Sequence, residues 1–425
     1  MLEQLQISEL SNGLKIVTLA KPDAESVQVA IHARVGSRNE TEALNGASHF
    51  IEHLLFKGTK RRSSKAISQA IEGHGGSINA YTDKDNTCYF AKVPYDKASV
   101  ALDVLGDLFY HATFDPKELD RERSVIAEEI NMYDDQPDSV AMDRLNGQLW
   151  SGHPLGRPIL GPVENIFGLS RDALIAYRDS QYAPCRTVIS FAGRVKHEQC
   201  VKAVEKLAGH LKNPTILREP EPFSRAIPLD PFTITRRSIQ QTQLAFGWRT
   251  PGLMEQERLA TVAFISGLLG ESMMSRLFQS IRERKGLCYS IHSGTIICQD
   301  CGALVIAAGC DSAKAYQGTR AILSEIRKLI DHPLPAAELR RTRDYLCGRF
   351  RLRMDNLPIG WATTRVLFGL TPDPHEVLER YRAITAQDIQ TMAATVLNPN
   401  QLSLAVVAPE KTRQSDETWM KVFNY

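Results

Sequence analysis

The sequence predicts an α+β fold of two homologous domains, each a mostly antiparallel sheet with helices packed on one face. Two observations support this prediction. Each half has an alternating strand that ends at a glycine-containing turn and precedes a helical stretch, at residues 26–36 and, about 215 positions later, at residues 240–252. Strands and helices also lack the regular alternation that a parallel α/β sheet requires. We therefore expect the chain to contain an internal repeat whose two copies have low sequence identity.

A proline-rich polar stretch separates the two halves, and such a composition is typical of a linker rather than a core. We expect an N-terminal domain at residues 1–213, a linker at 214–230 and a C-terminal domain at 231–425. The prolines that mark the joint are Pro214, Pro220, Pro222, Pro228 and Pro231.

The composition excludes several classes of protein. Of the 425 residues, 43% are apolar and 24% are charged, which permits a large core and excludes wholesale disorder. The 51 Lys and Arg nearly balance the 49 Asp and Glu, and a net charge of +2 gives no basic surface for nucleic acid or a membrane. No apolar run approaches the ~18–20 residues of a membrane span. We therefore expect neither nucleic acid nor a membrane as a partner.

The N-terminus and the cysteines favour a cytoplasmic location. The first residues lack the basic and then apolar regions of a secretory signal. Eight scattered cysteines are too few for a disulfide scaffold, and Cys298 and Cys301 form a CxxC motif with no second pair. We expect reduced thiols in the cytoplasm, or in the mitochondrial matrix if a transit peptide has been removed.

The sequence His49-Phe-Ile-Glu52-His53 is the strongest chemical signal in the chain. On a helix, positions 49, 52 and 53 share one face, and Asn45 is the predicted N-cap. Two imidazoles one turn apart can bind one Zn²⁺. Glu52 would then lie beside the metal, placed to take a proton from a water that the metal activates. The alternative is a set of ordinary polar residues on a helix surface.

A catalytic zinc site needs a third protein ligand. A helix is predicted to start at Asp115 as N-cap and Pro116, and it carries Glu122 and Glu129 two turns apart on one face. We expect Val125 and Ile126 between them on the inner side and Glu128 in solvent. Because a buried carboxylate pair without a partner is costly, Glu129 is the candidate ligand, and Glu122 is expected to orient a histidine or to balance charge.

These motifs resemble the pitrilysin/insulinase family of inverzincin peptidases. The likeness is greatest to its bacterial two-domain members and to the β subunit of mitochondrial processing peptidase. The family pattern is H-x-x-E-H, with a distal Glu 76 positions after the second His and another Glu seven before that, as at His53, Glu129 and Glu122. The resemblance implies one zinc per chain on His49, His53 and Glu129, with Glu52 as general base and Glu122 as support.

Further segments match the family. Residues 75–89 resemble its substrate-binding edge strand, which implies that Asn79 and Ala80 bind substrate, and Phe56 matches an aromatic residue that lines the substrate pocket. The alternatives are a turn-adjacent strand residue for Asn79 and core packing for Phe56. In the second half, Arg282 and Tyr289 resemble the family's Arg/Tyr element, which implies a catalytic role for both.

The resemblance implies a zinc endopeptidase that cleaves peptides or unfolded segments inside a chamber. The helix near residues 260–269 contains neither His nor Glu, so the second half is expected to be an inactive repeat. We expect a homodimer that forms a clamshell, in which Arg282 and Tyr289 act on the partner's zinc site. A heterodimer with a motif-poor homologue is the alternative.

Two other functions are weighed. One is a presequence-processing peptidase, in which Asp143 reads a basic residue near the cut, although Ser139 replaces the second acidic position. The other is a non-catalytic scaffold subunit, such as the core proteins of respiratory complexes. The intact set of His49, Glu52, His53 and Glu129 argues against a scaffold.

Overall fold

The structure is a computed structural model that describes residues 4–226, 229–355, 359–411 and 415–423. Pro228 of the predicted linker lies outside the described residues. Two sheets flanked by helices confirm the predicted α+β class.

The strands of the described residues form two sheets, here the N-sheet and the C-sheet. The N-sheet has the order β1-β2-β6-β3-β5-β4, and the C-sheet has the order β7-β11-β8-β10-β9. The strands are β1 (Leu5–Glu9), β2 (Lys15–Ala20), β3 (Ser26–Ala33), β4 (Ser77–Thr82), β5 (Thr87–Pro94), β6 (Thr187–Gly193), β7 (Phe232–Arg237), β8 (Gln241–Thr250), β9 (Ser290–Ile297), β10 (Gly302–Asp311) and β11 (Leu402–Pro409).

The two sheets repeat one topology. The pairs β2–β6 and β7–β11 are parallel, and all other neighbouring pairs are antiparallel. Strands β2 to β6 therefore match β7 to β11 in order and direction, with β1 as an addition to the N-sheet. This shared topology confirms the internal repeat and the mostly antiparallel sheets.

The helices lie between these strands and after them. They are α1 (Ala47–Leu55), α2 (Ser64–Glu72), α3 (Ala98–His111), α4 (Pro116–Asp134), α5 (Pro137–Leu149), α6 (Val163–Gly168), α7 (Arg171–Gln181), α8 (His197–Ala208), α9 (Gln256–Leu269), α10 (Ala315–Asp331), α11 (Ala336–Asp355), α12 (Ile359–Leu367), α13 (Pro374–Ala383), α14 (Ala386–Val396) and α15 (Asp416–Met420). A π-helix, Phe278–Arg284, precedes β9.

The chain packs as two compact units. Of the described residues, those within Met1–Ile130, Arg157–Glu221 and Met354–Asp373 form the first unit, and the others form the second. The change of unit after Glu221 falls inside the predicted linker 214–230. Two helices, α5 (Pro137–Leu149) and α12 (Ile359–Leu367), join the unit of the other sequence half, because α5 packs on β8 and β11 and α12 packs on β2 and β6.

Each unit has its own hydrophobic core. In the first, side chains of α1 and α3 pack with β3 and β5, and α12 contacts β2, β3 and β6. In the second, Leu244, Phe246 and Trp248 of β8 face a cluster that includes α9, α10 and α14. Ala245 of β8 belongs to a separate cluster with α5. Helix α5 thus adds a second covered face to the C-sheet.

The cysteines are free thiols, and all but Cys185 are buried. Cys298 and Cys301 lie at the turn between β9 and β10, where Cys298 N donates to Cys301 O at 2.9 Å. This position fits small residues at a strand–turn–strand connection. In the described part of the chain, no helix is both long enough and apolar enough to cross a membrane.

Candidate metal centre

Helix α1 carries the H-x-x-E-H residues and is fixed to the core by its other face. His49 is buried and His53 is half-buried. Glu52 is also half-buried and shares their face. The apolar residues that anchor the helix are almost completely buried: Phe50, Ile51, Leu54 and Leu55.

The predicted N-cap of α1 is wrong. The helix starts after Gly46, which is the N-cap and has a left-handed backbone with φ +101°. The side chain of Asn45 is occupied elsewhere, because its Nδ2 donates to Glu40 Oε2 at 2.9 Å and to Pro158 O at 2.9 Å. The sequence pattern favoured Asn45 because asparagine is a common cap.

Helix α4 begins as predicted, and Asp115 Oδ1 accepts a hydrogen bond from Lys117 N at 2.8 Å. Ile126 is fully buried and Glu128 is exposed, as expected. The inner placement of Val125 is wrong, since this side chain is 48% exposed. One residue turns a helix by about 100°, so Val125 lies at the edge of the buried stripe.

Three potential metal-binding side chains converge between α1 and α4. The ligand atoms of His49, His53 and Glu129 lie within 4.8 Å of one another. Glu129 Oε2 is 3.7 Å from His49 Nε2 and 3.5 Å from His53 Nε2. Two donors about 2.1 Å from one zinc ion at the tetrahedral angle would be about 3.4 Å apart. The donor set and the two distances from Glu129 therefore fit zinc.

Burial and neighbouring carboxylates set the charges of these residues in opposite directions. Burial lowers the pKa of His49 to about 4, which leaves a neutral imidazole. Burial would also lower the pKa of His53, but hydrogen bonds with Glu122 and Glu129 outweigh it and raise this pKa to about 9. The bond with His53 lowers the pKa of Glu129. Glu122 and Glu129 thus favour a positive charge beside His53. A divalent metal ion could supply that charge in place of the proton.

Glu122 orients His53. Its Oε2 lies 3.1 Å from His53 Nδ1, and its Oε1 lies 2.7 Å from Lys57 Nζ. Burial would raise the pKa of Glu122, but these two bonds lower it, so it is a carboxylate that only accepts. His53 Nδ1 is then the donor to Glu122, and Nε2 is the nitrogen directed toward Glu129, where a metal ion would take the place of its proton. The bond between Lys57 and Glu122 was missed, and Lys57 lies just beyond the last residue of α1, where helical periodicity gives no direction.

Glu52 is held by a residue that sequence reasoning did not assign. Thr82 Oγ1 donates to Glu52 Oε2 at 2.5 Å. Burial raises the pKa of Glu52, and this hydrogen bond opposes the rise. Thr82 ends β4, so the strand expected to bind substrate also fixes the carboxylate.

Strand β4 is the edge of the N-sheet and pairs only with β5 among the described strands. Asn79 is exposed on it, and its Oδ1 accepts from Ala80 N at 2.8 Å. Phe56 is half-buried against the core, and its ring centroid lies 6.3 Å from that of Tyr89. The contacts of Phe56 fit the core-packing interpretation, while Asn79 and Ala80 lie where an added peptide strand could reach them.

Arg282 and Tyr289 come together within the second unit. The Arg282 guanidinium lies 4.6 Å from the ring centroid of Phe278 and 5.9 Å from that of Tyr289. Arg282 belongs to the π-helix, and π-helical turns are frequent at functional sites. Tyr289 is 76% exposed. Asp143 is an exposed residue of α5, also in the second unit.

Comparison with known proteins gives matches to two family models and to solved structures of the same fold. The family model described as insulinase, peptidase family M16, matches residues 15–163 of this chain. The model of the M16 inactive domain matches residues 168–346. Among solved structures, a protease from Helicobacter pylori has a TM-score of 0.89 at 21% identity, with 95% of this chain and 99% of that chain covered. An M16 inactive-domain protein from Pseudomonas fluorescens has a TM-score of 0.88 at 18% identity, covering 96% and 99% of the two chains. At these identities the structures show the shared fold.

Sequence relatives show the family. A Bacillus subtilis protein named as an uncharacterized zinc protease is 33% identical over 94% of this chain and 97% of its own length. A Streptomyces coelicolor protein of the same description is 34% identical over 96% of this chain and 90% of its own. The chain therefore belongs to the insulinase family of peptidases, peptidase family M16.

Proposed function

We propose that this chain is a zinc-dependent endopeptidase with one zinc held by His49, His53 and Glu129. The observation that supports this most strongly is the spacing of their ligand atoms, with Glu129 Oε2 at 3.7 Å and 3.5 Å from the two imidazole nitrogens. The names of the relatives, which are zinc proteases, support the same activity. The complete ligand set argues against a non-catalytic scaffold.

Each chain residue near the metal has a distinct task in peptide hydrolysis. The chemistry that zinc supplies when bound is Lewis acidity toward a carbonyl oxygen and acidification of water. Glu52 accepts the proton of the attacking water and returns it to the leaving amine nitrogen. Thr82 holds the carboxylate of Glu52 through one oxygen, which leaves the other oxygen for the proton. Glu122 fixes the ring of His53 through Nδ1, which would leave Nε2 to hold the metal.

The substrate is an extended peptide or an unfolded segment. Main-chain groups of β4 bind it as an added strand beside Asn79 and Ala80, and an edge strand suits this mode because it has unpaired backbone groups. Such binding depends little on the side chains of the substrate, so it should select extended peptides over folded segments. Enclosure in a chamber belongs to this proposal and follows from the family likeness.

The active assembly is proposed to be a homodimer in which Arg282 and Tyr289 act on the zinc site of a second copy. The exposed Tyr289 and the Arg282 guanidinium, 5.9 Å from its ring centroid, suit a pair that contacts a substrate carbonyl or a developing oxyanion. Mixing Glu52→Gln and Tyr289→Phe proteins should restore part of the activity. Mixed dimers that form without activity would refute this arrangement, and dependence on a motif-poor second chain would favour the heterodimer.

A preference for basic residues near the cut remains a prediction that depends on Asp143. The cytoplasm remains the proposed location, and the free thiols support it.

Peptidase activity on a quenched unstructured peptide, measured with metal content, tests the proposal. Wild type and Glu52→Gln should both hold about one zinc per chain, and only wild type should cut. Glutamine keeps the shape of Glu52 and its bond from Thr82 but cannot accept the proton. A wild type that binds no zinc, or a Glu52→Gln protein that cuts as fast as wild type, would refute the assignment.

A further inference from the structure

The helix that carries two zinc ligands begins without a capping side chain of its own. His49 is the third residue of α1, so it lies in the first turn, where backbone N–H groups have no partners within the helix. The N-cap is Gly46, and its φ of +101° suits glycine. A Cβ at Gly46 would lie 2.7 Å from Leu160 O. A residue with a capping side chain therefore cannot take this position.

Glu40, six residues before the N-cap, supplies the missing acceptors. Its Oε2 accepts from Gly46 N at 2.8 Å and from Asn45 Nδ2 at 2.9 Å. Its Oε1 accepts from Ser48 N at 2.7 Å. The side chain is only 3% exposed, so water cannot readily replace these bonds. One carboxylate thus binds the backbone on both sides of the helix start, up to the residue before His49.

The capping loop is itself fixed to the first unit. Arg157 Nη1 donates to the backbone oxygen of Glu40 at 2.9 Å. On the helix side, the hydroxyls of Ser48 and Tyr177 lie 3.0 Å apart, and both residues are buried. Glu40 therefore connects a restrained loop to the start of α1.

We propose that Glu40 is a positioning residue for the zinc ligand His49, whose ring it places by capping the first turn of α1. This inference rests on the proposed zinc site. Glu40 acts on His49 indirectly, through the backbone N–H groups of Gly46 and Ser48. Loosening this turn would move His49 relative to His53 in the second turn, and a metal site depends on that spacing.

The substitution Glu40→Gln isolates the role because it keeps the size of the side chain. Three N–H groups point at the two oxygens of Glu40. The side chain of glutamine has one oxygen and one NH₂ group in place of the two oxygens. Its NH₂ group must therefore face an N–H donor of the protein. The better orientation keeps the oxygen toward Asn45 and Gly46 and breaks the bond from Ser48. The damage then falls on the residue next to His49.

Two readouts test the proposal on the full chain. Zinc affinity, measured by competition with a fluorescent chelator, should fall about tenfold or more in Glu40→Gln. Amide hydrogen exchange of the metal-free protein should become faster in the first turn of α1 and stay unchanged in other helices. Burial raises the pKa of Glu40 to about 7, so the measurements belong near pH 8.5, where wild type is ionised.

The matched control is Thr385→Ala, which removes the side-chain cap of α14 in the second unit. This variant should lose some stability and keep the zinc affinity of wild type. A Glu40→Gln protein with wild-type zinc affinity would overturn the inference, as would an equal loss of affinity in Thr385→Ala. If Glu40→Gln does not fold, Glu40→Asp, which shortens the side chain, carries the same expectation. A wild type that binds no zinc would instead overturn the proposed function.

Discussion

Replacing Glu122 with glutamine tests how the protein prepares His53 for the metal. Glu122 is 3% exposed and accepts from His53 Nδ1 at 3.1 Å and from Lys57 Nζ at 2.7 Å. A hydrogen bond to a charged group contributes about 1.5–3 kcal/mol, against about 0.5–1.5 kcal/mol for a neutral one. With the amide of glutamine in place of the carboxylate, the hydrogen bond that orients His53 should therefore be weaker by about 1–1.5 kcal/mol.

That free energy corresponds to roughly a five- to tenfold loss of zinc affinity. Since partners of metal ligands commonly contribute 10–100-fold, this is the low end of the expected range. Lys57 is 29% exposed and can turn toward water after the change, so its loss of a partner should add little.

The assay is competition for zinc against a fluorescent chelator, with the melting temperature recorded for each protein. Lys57→Met is the matched control, because it removes the cation from Glu122 but leaves the bond to His53. We expect its zinc affinity to stay within about threefold of wild type. The reasoning is refuted if folded Glu122→Gln binds zinc as tightly as wild type, or if Lys57→Met weakens binding as much as Glu122→Gln does.

Three further predictions follow from the first unit. Thr82→Val removes the hydroxyl that holds Glu52 and should lower kcat about tenfold with little change in KM, while Thr82→Ser should retain most activity. Treatment with a chelator should abolish peptide cleavage, and added zinc should restore it; activity that survives complete zinc removal would exclude a zinc mechanism. Asp107→Asn should lower the free energy of unfolding by about 2–3 kcal/mol in urea titrations, because Arg61 and Arg62 lose their buried partner. Burial would raise the pKa of Asp107, but its hydrogen bonds and the arginine charges lower it. Wild type should therefore keep this contribution above the ordinary carboxyl pKa of about 4 and lose it as the pH falls below that value, whereas Asp107→Asn should show a weaker acid dependence.

Periodicity predicted those parts of the site that lie on one helix. The spacing of His49, Glu52 and His53 determines their common face whatever the rest of the chain does. The pairing of α1 with α4 depends on contacts between distant segments, and no local pattern predicts it. The helix pattern alone made Glu129 a candidate ligand, and the family resemblance supplied its pairing with His49 and His53.

The residues that were missed lie where local patterns carry little information. Glu40 caps α1 from a loop, and Thr82 contacts Glu52 from the end of a strand. Neither contact follows from helical or strand periodicity, because each depends on how the chain returns to α1. At Asn45 a local pattern gave a wrong prediction. The side chain of this common capping residue donates to Glu40, and Gly46, with a left-handed backbone, is the N-cap instead.

The repeat predicted two similar, mostly antiparallel sheets but not the order of their strands. The alternating patterns of β3 and β8 predicted two similar sheets, and the five-strand order that the two sheets share confirms this prediction. The exchange of α5 and α12 between units could not be predicted, because an amphipathic helix packs equally well on any apolar sheet face.

The most direct test of the zinc site is anomalous diffraction at the zinc edge from crystals of the wild-type protein grown with zinc. The account predicts one strong peak per chain, about 2.0–2.2 Å from Nε2 of His49, Nε2 of His53 and a carboxylate oxygen of Glu129. A peak that lies elsewhere, or one that Glu129 does not contact, would contradict it.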